Sequence, residues 1–433
     1  MPAVKELLMM EDAFDTGLAH ARHLDALDTL ASFRERFLFA DSALVYLDGN
    51  SLGRLPRQVG ERMRKVVERE WGENLVRGWQ TGWYEAPARV GEKIARLVDA
   101  SPDQLIVSDS TSVNLFKLVM AGLALRADRT GIVTDSLNFP SDLYVLQGCV
   151  RLLGDRHRLQ VLPSSDGIAI EPQALRDAID ESTALVCLSH VVFKSGHLYD
   201  AAAVTEHAHR VGALVLWDLS HSVGVVPVRL DAWGVDLAVG CTYKYLNGGP
   251  GSPAFQYVRQ GLQEQARSPI WGWFGHRSPF AFDLDYRPPA GIARFLVGTP
   301  PVLSLLAMEE ALEPLLEAGI PRVHAKAMKL TSYLVRLADS ILSPLGFELA
   351  SPRDPAKRGA HISLRHQHAY RINRALIEEM DVLPDFREPD NLWLGLSPLY
   401  TSFEDVWTGI DRIRQTVVER RYERYPESRL SVT

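Results

Sequence analysis

The sequence has few cysteines, no long hydrophobic run and no excess of basic charge. Its three cysteines, Cys149, Cys187 and Cys241, lie far apart among 433 residues, so we expect reduced, mostly buried thiols and no disulfide scaffold. No stretch approaches the ~18 apolar residues of a membrane span. The N-terminal segment has neither the apolar core of a signal peptide nor a transit-peptide profile. These absences predict a cytoplasmic protein without a membrane segment.

The charge balance argues against polyanionic partners. The 47 Lys and Arg residues and 54 Asp and Glu residues give a formal net charge of −7. This charge repels nucleic-acid backbones and anionic lipid surfaces. Hydrophobic residues make up 46% of the chain and charged residues 23%, as in ordinary globular proteins. The composition excludes a disordered chain and predicts neither nucleic acid nor membrane as a partner.

From about residue 60 to about residue 300, short apolar runs alternate with amphipathic segments of helix length. The runs are QLIVSD (104–109), GIVTD (131–135), ALVCLS (184–189), ALVLWD (213–218), VDLAVGC (235–241) and PAFQYV (253–258). Near-continuous apolar strands separated by helices are typical of a mostly parallel sheet covered on both faces. The sequence therefore predicts an α/β fold.

The pattern becomes helical after about residue 305. Apolar residues recur at helical spacing in 323–341, and again from Phe403, where Thr401 and Glu404 have the spacing of a capping box. Strand signals lie between these helices, at 361–365 and 391–397. We therefore expect a smaller α+β domain at the C-terminus. The predicted division is an N-terminal arm that packs with the small domain (1–60), a large cofactor domain (61–305) and the small domain (306–433).

Polar residues that follow the apolar runs are candidates for chemistry, because ligands of open α/β sheets bind beyond the carboxyl ends of the strands. Asp218 ends one run, Lys244 follows another within TYKYLNGGPG, and Ser110–Ser112 open a helical segment. Each has an ordinary structural explanation when taken alone: a turn, a solvated loop and an N-cap. No histidine group has metal-ligand spacing with Cys or carboxylate partners, so we predict no metal.

Together these residues match the needs of pyridoxal phosphate. That cofactor requires a lysine for its Schiff base, a carboxylate at its pyridinium nitrogen and an anion site for its phosphate. Lys244, Asp218 and the Thr111/Ser112 helix start supply the three in turn. Phe139, just after GIVTD, is placed to stack on the ring.

The sequence resembles the kynureninases, which are fold-type I pyridoxal-phosphate enzymes related to the class V aminotransferases. The similar segments occur in the family order over most of the chain. They are LDGNSLGRLP (47–56), STSVN (110–114), NFPSD (138–142), LSHVVFKSGHLYD (188–200), DLSHSVG (218–224), WGVDLAVGCTYKYLNGGPG (233–251), GWFGH (272–276) and GTPP (298–301). The resemblance implies a fold-type I transferase fold with a smaller C-terminal domain.

The resemblance also implies a role for each matching residue. Lys244 would form the Schiff base and move protons, Asp218 would pair with the pyridinium nitrogen, and Tyr243 would donate a proton. The other implied cofactor contacts are Thr111, Ser112, Tyr243 and Trp273 around the phosphate, Phe139 on the ring, and His221, Asp142 and Ser189. Trp273 and Thr299 would come from the neighbouring subunit, which implies a homodimer.

The implied reaction is hydrolysis of the Cβ–Cγ bond of L-kynurenine to anthranilate and L-alanine. The chain departs from the family at Trp393, where an arginine that grips the substrate α-carboxylate is expected. Either Arg387 or Arg294 replaces that arginine, or the substrate differs. The alternative function is a kynureninase-like enzyme redirected to another amino acid or reaction, such as transamination, β-elimination or epimerisation. An inactive scaffold would not need Lys244 and Asp218 at two strand ends.

Overall fold

The computed structural model describes residues 14–428. The strands are β1 Val45–Tyr46, β2 Leu105–Val107, β3 Gly131–Asp135, β4 Arg158–Leu162, β5 Thr183–Ser189, β6 Leu214–Asp218, β7 Leu237–Gly240, β8 Phe255–Val258, β9 Glu348–Leu349, β10 His361–Arg365, β11 Val382–Leu383, β12 Asp385–Arg387 and β13 Asn391–Gly395. The helices are α1 Leu18–Ala26, α2 Arg57–Lys65, α3 Ala86–Leu97, α4 Thr111–Leu125, α5 Pro140–Leu152, α6 Pro172–Ala178, α7 Ala201–Arg210, α8 Gln260–Gln263, α9 Val302–Ala311, α10 Glu313–Ala318, α11 Ile320–Leu337, α12 Ala369–Glu379 and α13 Phe403–Val418.

A seven-stranded sheet with the order β2-β8-β7-β6-β5-β3-β4 forms the centre of the larger part of the chain. Strand β8 runs antiparallel to its neighbours β2 and β7, and the other neighbouring pairs are parallel. The predicted mostly parallel α/β sheet is therefore confirmed. A strand lies in every predicted run, whereas β4, with a sequence of mixed polarity at the sheet edge, was not predicted.

Both faces of this sheet are covered. Along β5, Leu185 and Cys187 belong to one hydrophobic cluster, while Val186 and Leu188 belong to another. Helix α4 packs on the first face and helix α7 on the second. Because successive side chains of a strand point to opposite faces, both sets must be apolar, which explains the near-continuous hydrophobic runs.

A second, antiparallel sheet with the order β12-β13-β10-β9 lies in the C-terminal part of the chain. Its apolar side, which includes Ile362, Leu364, Leu392 and Leu394, is buried in one core with side chains of α11, α12 and α13. The alternate residues of the same strands face the other way and are largely polar or aromatic. The sheet therefore turns a chemically distinct face toward the strand ends of the large sheet.

The N-terminal residues pack with this smaller α+β part. Ala21 and Leu24 share its hydrophobic cluster, and both carboxylate oxygens of Asp25 accept the first backbone N–H groups of α13, at 2.7 and 2.9 Å. Helix α11 contributes to both cores, because its first half packs in the large cluster and its second half in the small one. The exact division at residues 60 and 305 stays a prediction.

The two long C-terminal helices lie where the periodicity predicted them, but the capping box was misassigned. Ser402 accepts from the N–H of Asp405 at 2.9 Å, and the Asp405 carboxylate accepts from the N–H of Ser402 at 3.0 Å. The predicted pair, Thr401 and Glu404, is therefore wrong by one residue. Thr401 is buried and does not cap the helix; its hydroxyl accepts from the N–H of Ser397 at 3.1 Å.

The three cysteines are free and buried, as predicted. Between residues 14 and 428 no helix is both long and apolar enough to cross a bilayer. Within the same range there is no cluster of three or more His, Cys, Asp or Glu side chains that could hold a metal ion.

Candidate active site

The candidate residues meet at one edge of the large sheet. Ser189 ends β5 and Asp218 ends β6, and the two are paired in register. Lys244 lies in the loop after β7, and α4 begins shortly after β2, a strand that runs in the same direction as β7. Because the carboxyl ends of these strands share one edge, residues far apart in sequence are brought to one place.

Lys244 has a specific partner at this edge. Its Nζ lies 2.7 Å from Nε2 of His221, and about equally far, 6.0 Å, from the ring centroids of Phe139 and Tyr243. Burial and the neighbouring Lys244 charge lower the pKa of His221 well below its ordinary value. The imidazole is therefore neutral and accepts a hydrogen bond from the lysine.

Two buried carboxylates face each other beside this lysine. Burial and the adjacent Asp218 raise the pKa of Asp142 well above its ordinary value. Asp218 accepts the backbone N–H of Ser220 at 2.8 Å, whereas Oδ2 of Asp142 has no donor. Nδ1 of His221 is also buried without a partner. A bound polar ligand would supply the hydrogen-bond partners that these buried atoms lack.

The start of α4 has free donors. Ser110 is the N-cap and its hydroxyl accepts from the N–H of Val113 at 3.4 Å. The capping explanation thus holds for Ser110, and Thr111 and Ser112 form the first turn. The hydroxyl of Ser112 lies 2.8 Å from that of Ser141, at the start of α5. Two helix N-termini therefore converge, and these are favourable positions for an anion.

Ser141 and Asn138 are site residues that sequence reasoning did not single out. Asn138 is buried, and its side-chain oxygen accepts a hydrogen bond from the hydroxyl of Ser189. Both missed residues lie in the NFPSD segment: Asn138 precedes Phe139, and Ser141 precedes Asp142. Their membership in that motif was the available signal.

Tyr243 lies half-buried next to the lysine. The neighbouring Cys241 and burial raise the pKa of its phenol, so the hydroxyl stays protonated at neutral pH. Its backbone carbonyl accepts the N–H of Gly53 at 2.8 Å. The LDGNSLG segment therefore lies directly against the lysine loop.

Of three further predicted site residues, Phe139 lies beside Lys244, whereas Trp273 and Thr299 do not. The Phe139 ring packs edge-on against Phe193, with centroids 5.2 Å apart, and remains 42% exposed beside Lys244. Trp273 is 39% exposed and packs instead on Phe274. Thr299 is exposed. In the described part of the chain, no hydrogen bond or ring contact joins Trp273 or Thr299 to Lys244.

The polar face of the small sheet forms the opposite wall. The ring of Trp393 lies 5.6 Å from that of His221 and 5.1 Å from that of His361. The guanidinium carbon of Arg387 lies 4.6 Å from the centroid of the Trp393 ring. The expected arginine position is thus filled by an aromatic side chain that has an arginine stacked on it.

Arg294, the other candidate for the carboxylate, is engaged elsewhere. It is buried and donates to the backbone carbonyls of Glu264 at 3.0 Å and Pro289 at 3.1 Å. A further bond goes to the carbonyl of Gln263. These contacts join two loops, so the role of Arg294 is structural.

Comparison with known proteins agrees with this architecture. The chain superposes on the apo cysteine desulfurase from Thermococcus onnurineus NA1 with a TM-score of 0.75 and 19% identity, covering 90% of this chain and 98% of that one. It superposes on a cysteine desulfurase from Escherichia coli with the same TM-score and identity, covering 92% and 99%. The fold is that of the fold-type I class of pyridoxal-phosphate enzymes.

Sequence comparison defines the family. Residues 323–413 match the family described as Kynureninase C-terminal domain. The chain is 41% identical over 417 residues to the kynureninase of Burkholderia mallei (strain SAVP1), covering 95% of this chain and 98% of that one. It is 40% identical over 403 residues to the kynureninase of Pseudomonas fluorescens, covering 92% and 94%. The chain belongs to the kynureninase family.

Proposed function

We propose that this protein is a pyridoxal-phosphate-dependent hydrolase that cleaves the Cβ–Cγ bond of L-kynurenine, giving anthranilate and L-alanine. The observation that carries the proposal is the meeting of Lys244, Asp218 and the first turn of α4 at one edge of the large sheet. The family supplies the reaction, and this arrangement supplies the groups that the reaction needs.

The side chains present fit the cofactor. Burial and the repulsion between the neighbouring carboxylates of Asp142 and Asp218 raise the pKa of Asp142. A protonated ring nitrogen paired with Asp218 would reduce this repulsion. The unsatisfied Oδ2 of Asp142 and Nδ1 of His221 would find polar partners. Thr111 and Ser112 offer N–H and hydroxyl donors to a phosphate.

The remaining roles follow from position. We propose that Phe139 stacks on the ring, that Ser189 makes a polar contact with it, and that Tyr243 reaches the phosphate region. The ring centroids of Phe139 and Tyr243 both lie 6.0 Å from Nζ of Lys244, so both rings border the place that the cofactor would occupy. Ser189, one strand away from Asp218, is oriented by Asn138.

Bound pyridoxal phosphate would supply an electron sink for the substrate Cα. Lys244 would hold the cofactor through its amine and then carry the Cα proton as a base. Asp218 would keep a proton on the ring nitrogen, because an ionised carboxylate favours the charged form of its partner. Tyr243, whose raised pKa keeps its phenol protonated, would donate a proton near the substrate carbonyl.

We also propose a homodimer in the cytoplasm, with Trp273 and Thr299 reaching the neighbouring active site. Support comes from exposed apolar side chains in the segment around Trp273: Phe280 contacts Trp273, Phe282 contacts Phe280, and Trp271 and Leu284 of the same segment are exposed. Exposed apolar patches of this kind are typical of protein interfaces. The three free cysteines agree with a reducing compartment.

One observation favours a second candidate function. Trp393 cannot supply the cation expected at its position, so the scaffold could serve another amino-acid substrate or reaction, such as transamination, β-elimination or epimerisation. The stacked Arg387 places a cation beside Trp393, which favours the first candidate.

A reconstitution experiment tests the cofactor assignment. Purified protein incubated with pyridoxal phosphate should show a visible absorbance band that borohydride removes, and peptide mapping should find the reduced adduct on Lys244. The Lys244→Ala variant should lack both the band and the adduct. A colourless wild-type protein after incubation would overturn the assignment.

A further inference from the structure

The polar face of the small sheet presents a second group of side chains to the active site. Trp393 and Asp385 are register partners on β13 and β12, and Arg387 is two residues beyond Asp385 on the same side. His361, on β10, contacts the rings of both Trp393 and His221. Because His221 also holds Lys244, this face borders the reacting end of the lysine.

Arg387 is the cation of this group, and it is fixed in place from two directions. Its guanidinium lies over the Trp393 ring at 4.6 Å, and one of its terminal nitrogens is 2.5 Å from a carboxylate oxygen of Asp385. Its Nε is buried without a hydrogen-bond partner. A guanidinium has five donors. One terminal nitrogen faces Asp385 and the other makes a long bond of 3.4 Å to the carbonyl of Phe386, which leaves Nε and part of the donor edge for a ligand.

Two further polar side chains next to β13, those of Trp393 and Asn50, are buried and have unsatisfied atoms. Nε1 of Trp393 has no acceptor, and neither side-chain atom of Asn50 has a partner. Asn50 lies so close to the backbone of β13 that a Cβ at Gly395 would fall 1.5 Å from its Oδ1. Unsatisfied buried donors cost free energy unless a ligand pairs with them. Asp385 and Asp48 lie close to the same guanidinium. The donors that stay unsatisfied are Nε of Arg387, the indole N–H of Trp393 and the Asn50 amide, and these could serve an anion.

We propose that Arg387, held over the indole of Trp393, binds the carboxylate of the amino-acid substrate, with Asn50 and the indole N–H as additional donors. This inference rests on the proposed function and deepens it, because it assigns the contact that Trp393 itself cannot make. Arg294 has no part in the contact, since both of its terminal nitrogens already donate to backbone carbonyls. The subsite selects amino acids with a free carboxylate.

The test combines a change in the protein with a change in the ligand. Binding of L-alanine and of L-alaninamide to the cofactor-loaded protein is measured by the change in cofactor absorbance, and kcat and KM are measured with L-kynurenine. The variants are Arg387→Gln, Arg387→Lys and, as a control, Arg374→Gln. Arg374 lies on α12, which packs on the opposite, apolar side of the sheet, and it pairs with Glu378.

Arg387→Gln should weaken L-alanine binding about 10- to 100-fold, the usual effect of losing charge-assisted hydrogen bonds. It should change L-alaninamide binding less than about threefold and should raise KM for L-kynurenine more than it lowers kcat. The affinity of Arg387→Lys for L-alanine should lie between those of the wild type and Arg387→Gln, because lysine keeps the charge and loses the two-pronged geometry. Arg374→Gln should match the wild type.

Equal weakening of the acid and the amide, or no weakening of either, would overturn the inference. The experiment distinguishes a failure of the proposed function from a failure of the carboxylate subsite. If the wild type does not cleave L-kynurenine but Arg387 still discriminates L-alanine from its amide, the proposed function fails and the carboxylate subsite stands. If L-kynurenine is cleaved and Arg387→Gln changes neither KM nor L-alanine affinity, the subsite alone fails.

Discussion

A Cβ atom at Gly53 would lie 2.4 Å from the backbone carbonyl oxygen of Lys244, because the two backbone segments pass in direct contact. The N–H of Gly53 also donates to the carbonyl of Tyr243 at 2.8 Å. The N-terminal LDGNSLG segment therefore supports the loop that carries the lysine. Only glycine fits at this crossing, since any side chain would push the loop away.

Gly53→Ala should displace the lysine loop. We expect at least a tenfold loss of kcat with L-kynurenine and weaker cofactor retention, because overpacking a fixed contact costs about 1 to 3 kcal/mol. The matched control is Gly60→Ala in α2, where a Cβ would meet nothing within 4 Å. That variant should keep full activity and gain up to ~1 kcal/mol of stability from helix propensity. Equal activity of the two variants would contradict the proposed support.

The pH dependence of substrate binding should follow Asp48. Burial and the neighbouring Asp385 raise the pKa of Asp48 to about 7, against the lowering effects of Ser51, Arg387 and Lys244. Below that pH its carboxyl is protonated and neutral. As pH rises through 7 it ionises, which adds a negative charge close to Arg387 and opposes an anionic ligand.

We therefore expect L-alanine affinity for the cofactor-loaded protein to fall about five- to tenfold between pH 6 and pH 8, an effect of roughly 1 kcal/mol. Asp48→Asn should remove this dependence and leave a flatter profile. L-Alaninamide, which carries no carboxylate, serves as the ligand control. A profile that Asp48→Asn leaves unchanged would show that another group is titrating.

Subunit mixing tests whether Trp273 acts across a dimer interface. The Lys244→Ala and Trp273→Ala variants should each have little activity when prepared alone. Refolding an equimolar mixture should restore activity, because a hybrid dimer contains one site with both Lys244 and a wild-type Trp273 from its neighbour. A mixture no more active than its parents would place Trp273 in the site of its own chain, or outside any site.

The buried ion pair between Asp28 and Lys326 tests the packing of the N-terminal arm. The two charges lie 2.6 Å apart, with 6% and 7% of their side chains exposed, respectively. Asp28→Ala leaves an unpaired buried ammonium, so the free energy of unfolding in urea should fall by about 3 to 5 kcal/mol. The double variant Asp28→Leu/Lys326→Met should recover most of that loss. An unchanged unfolding midpoint for Asp28→Ala would mean that the arm does not stabilise α11.

Six of the seven strands of the large sheet could be predicted because they lie in continuous apolar runs that are buried on both faces, and only β4, of mixed polarity, was missed. Strands β9, β11 and β12 have only two or three residues, too few for a periodic signal. The capping box moved by one residue because Ser402 and Asp405 have the same spacing as Thr401 and Glu404. Local spacing could not choose between two equivalent pairs.

Strand ends and family motifs predicted that Lys244, Asp218 and the first turn of α4 would lie at one edge of the large sheet, and the structure brings them together. His361 was not predicted, and neither was the packing of the small sheet against this edge. His361 and Trp393 contact His221, and Arg387 lies over Trp393, only because the small sheet turns one face toward the large one. No sequence spacing encodes that approach. For the same reason the sequence left Arg294 and Arg387 as equal candidates, and burial of Arg294 among backbone carbonyls separates them.

The most direct test of the account is a product balance with L-kynurenine. Wild-type protein reconstituted with pyridoxal phosphate is incubated with L-kynurenine, and anthranilate, L-alanine and residual substrate are quantified together, with Lys244→Ala as the control. We predict anthranilate and L-alanine in equal amounts, matching the substrate consumed, and no turnover by Lys244→Ala. A protein that carries the cofactor but leaves L-kynurenine intact, or converts it without releasing anthranilate, would contradict the account.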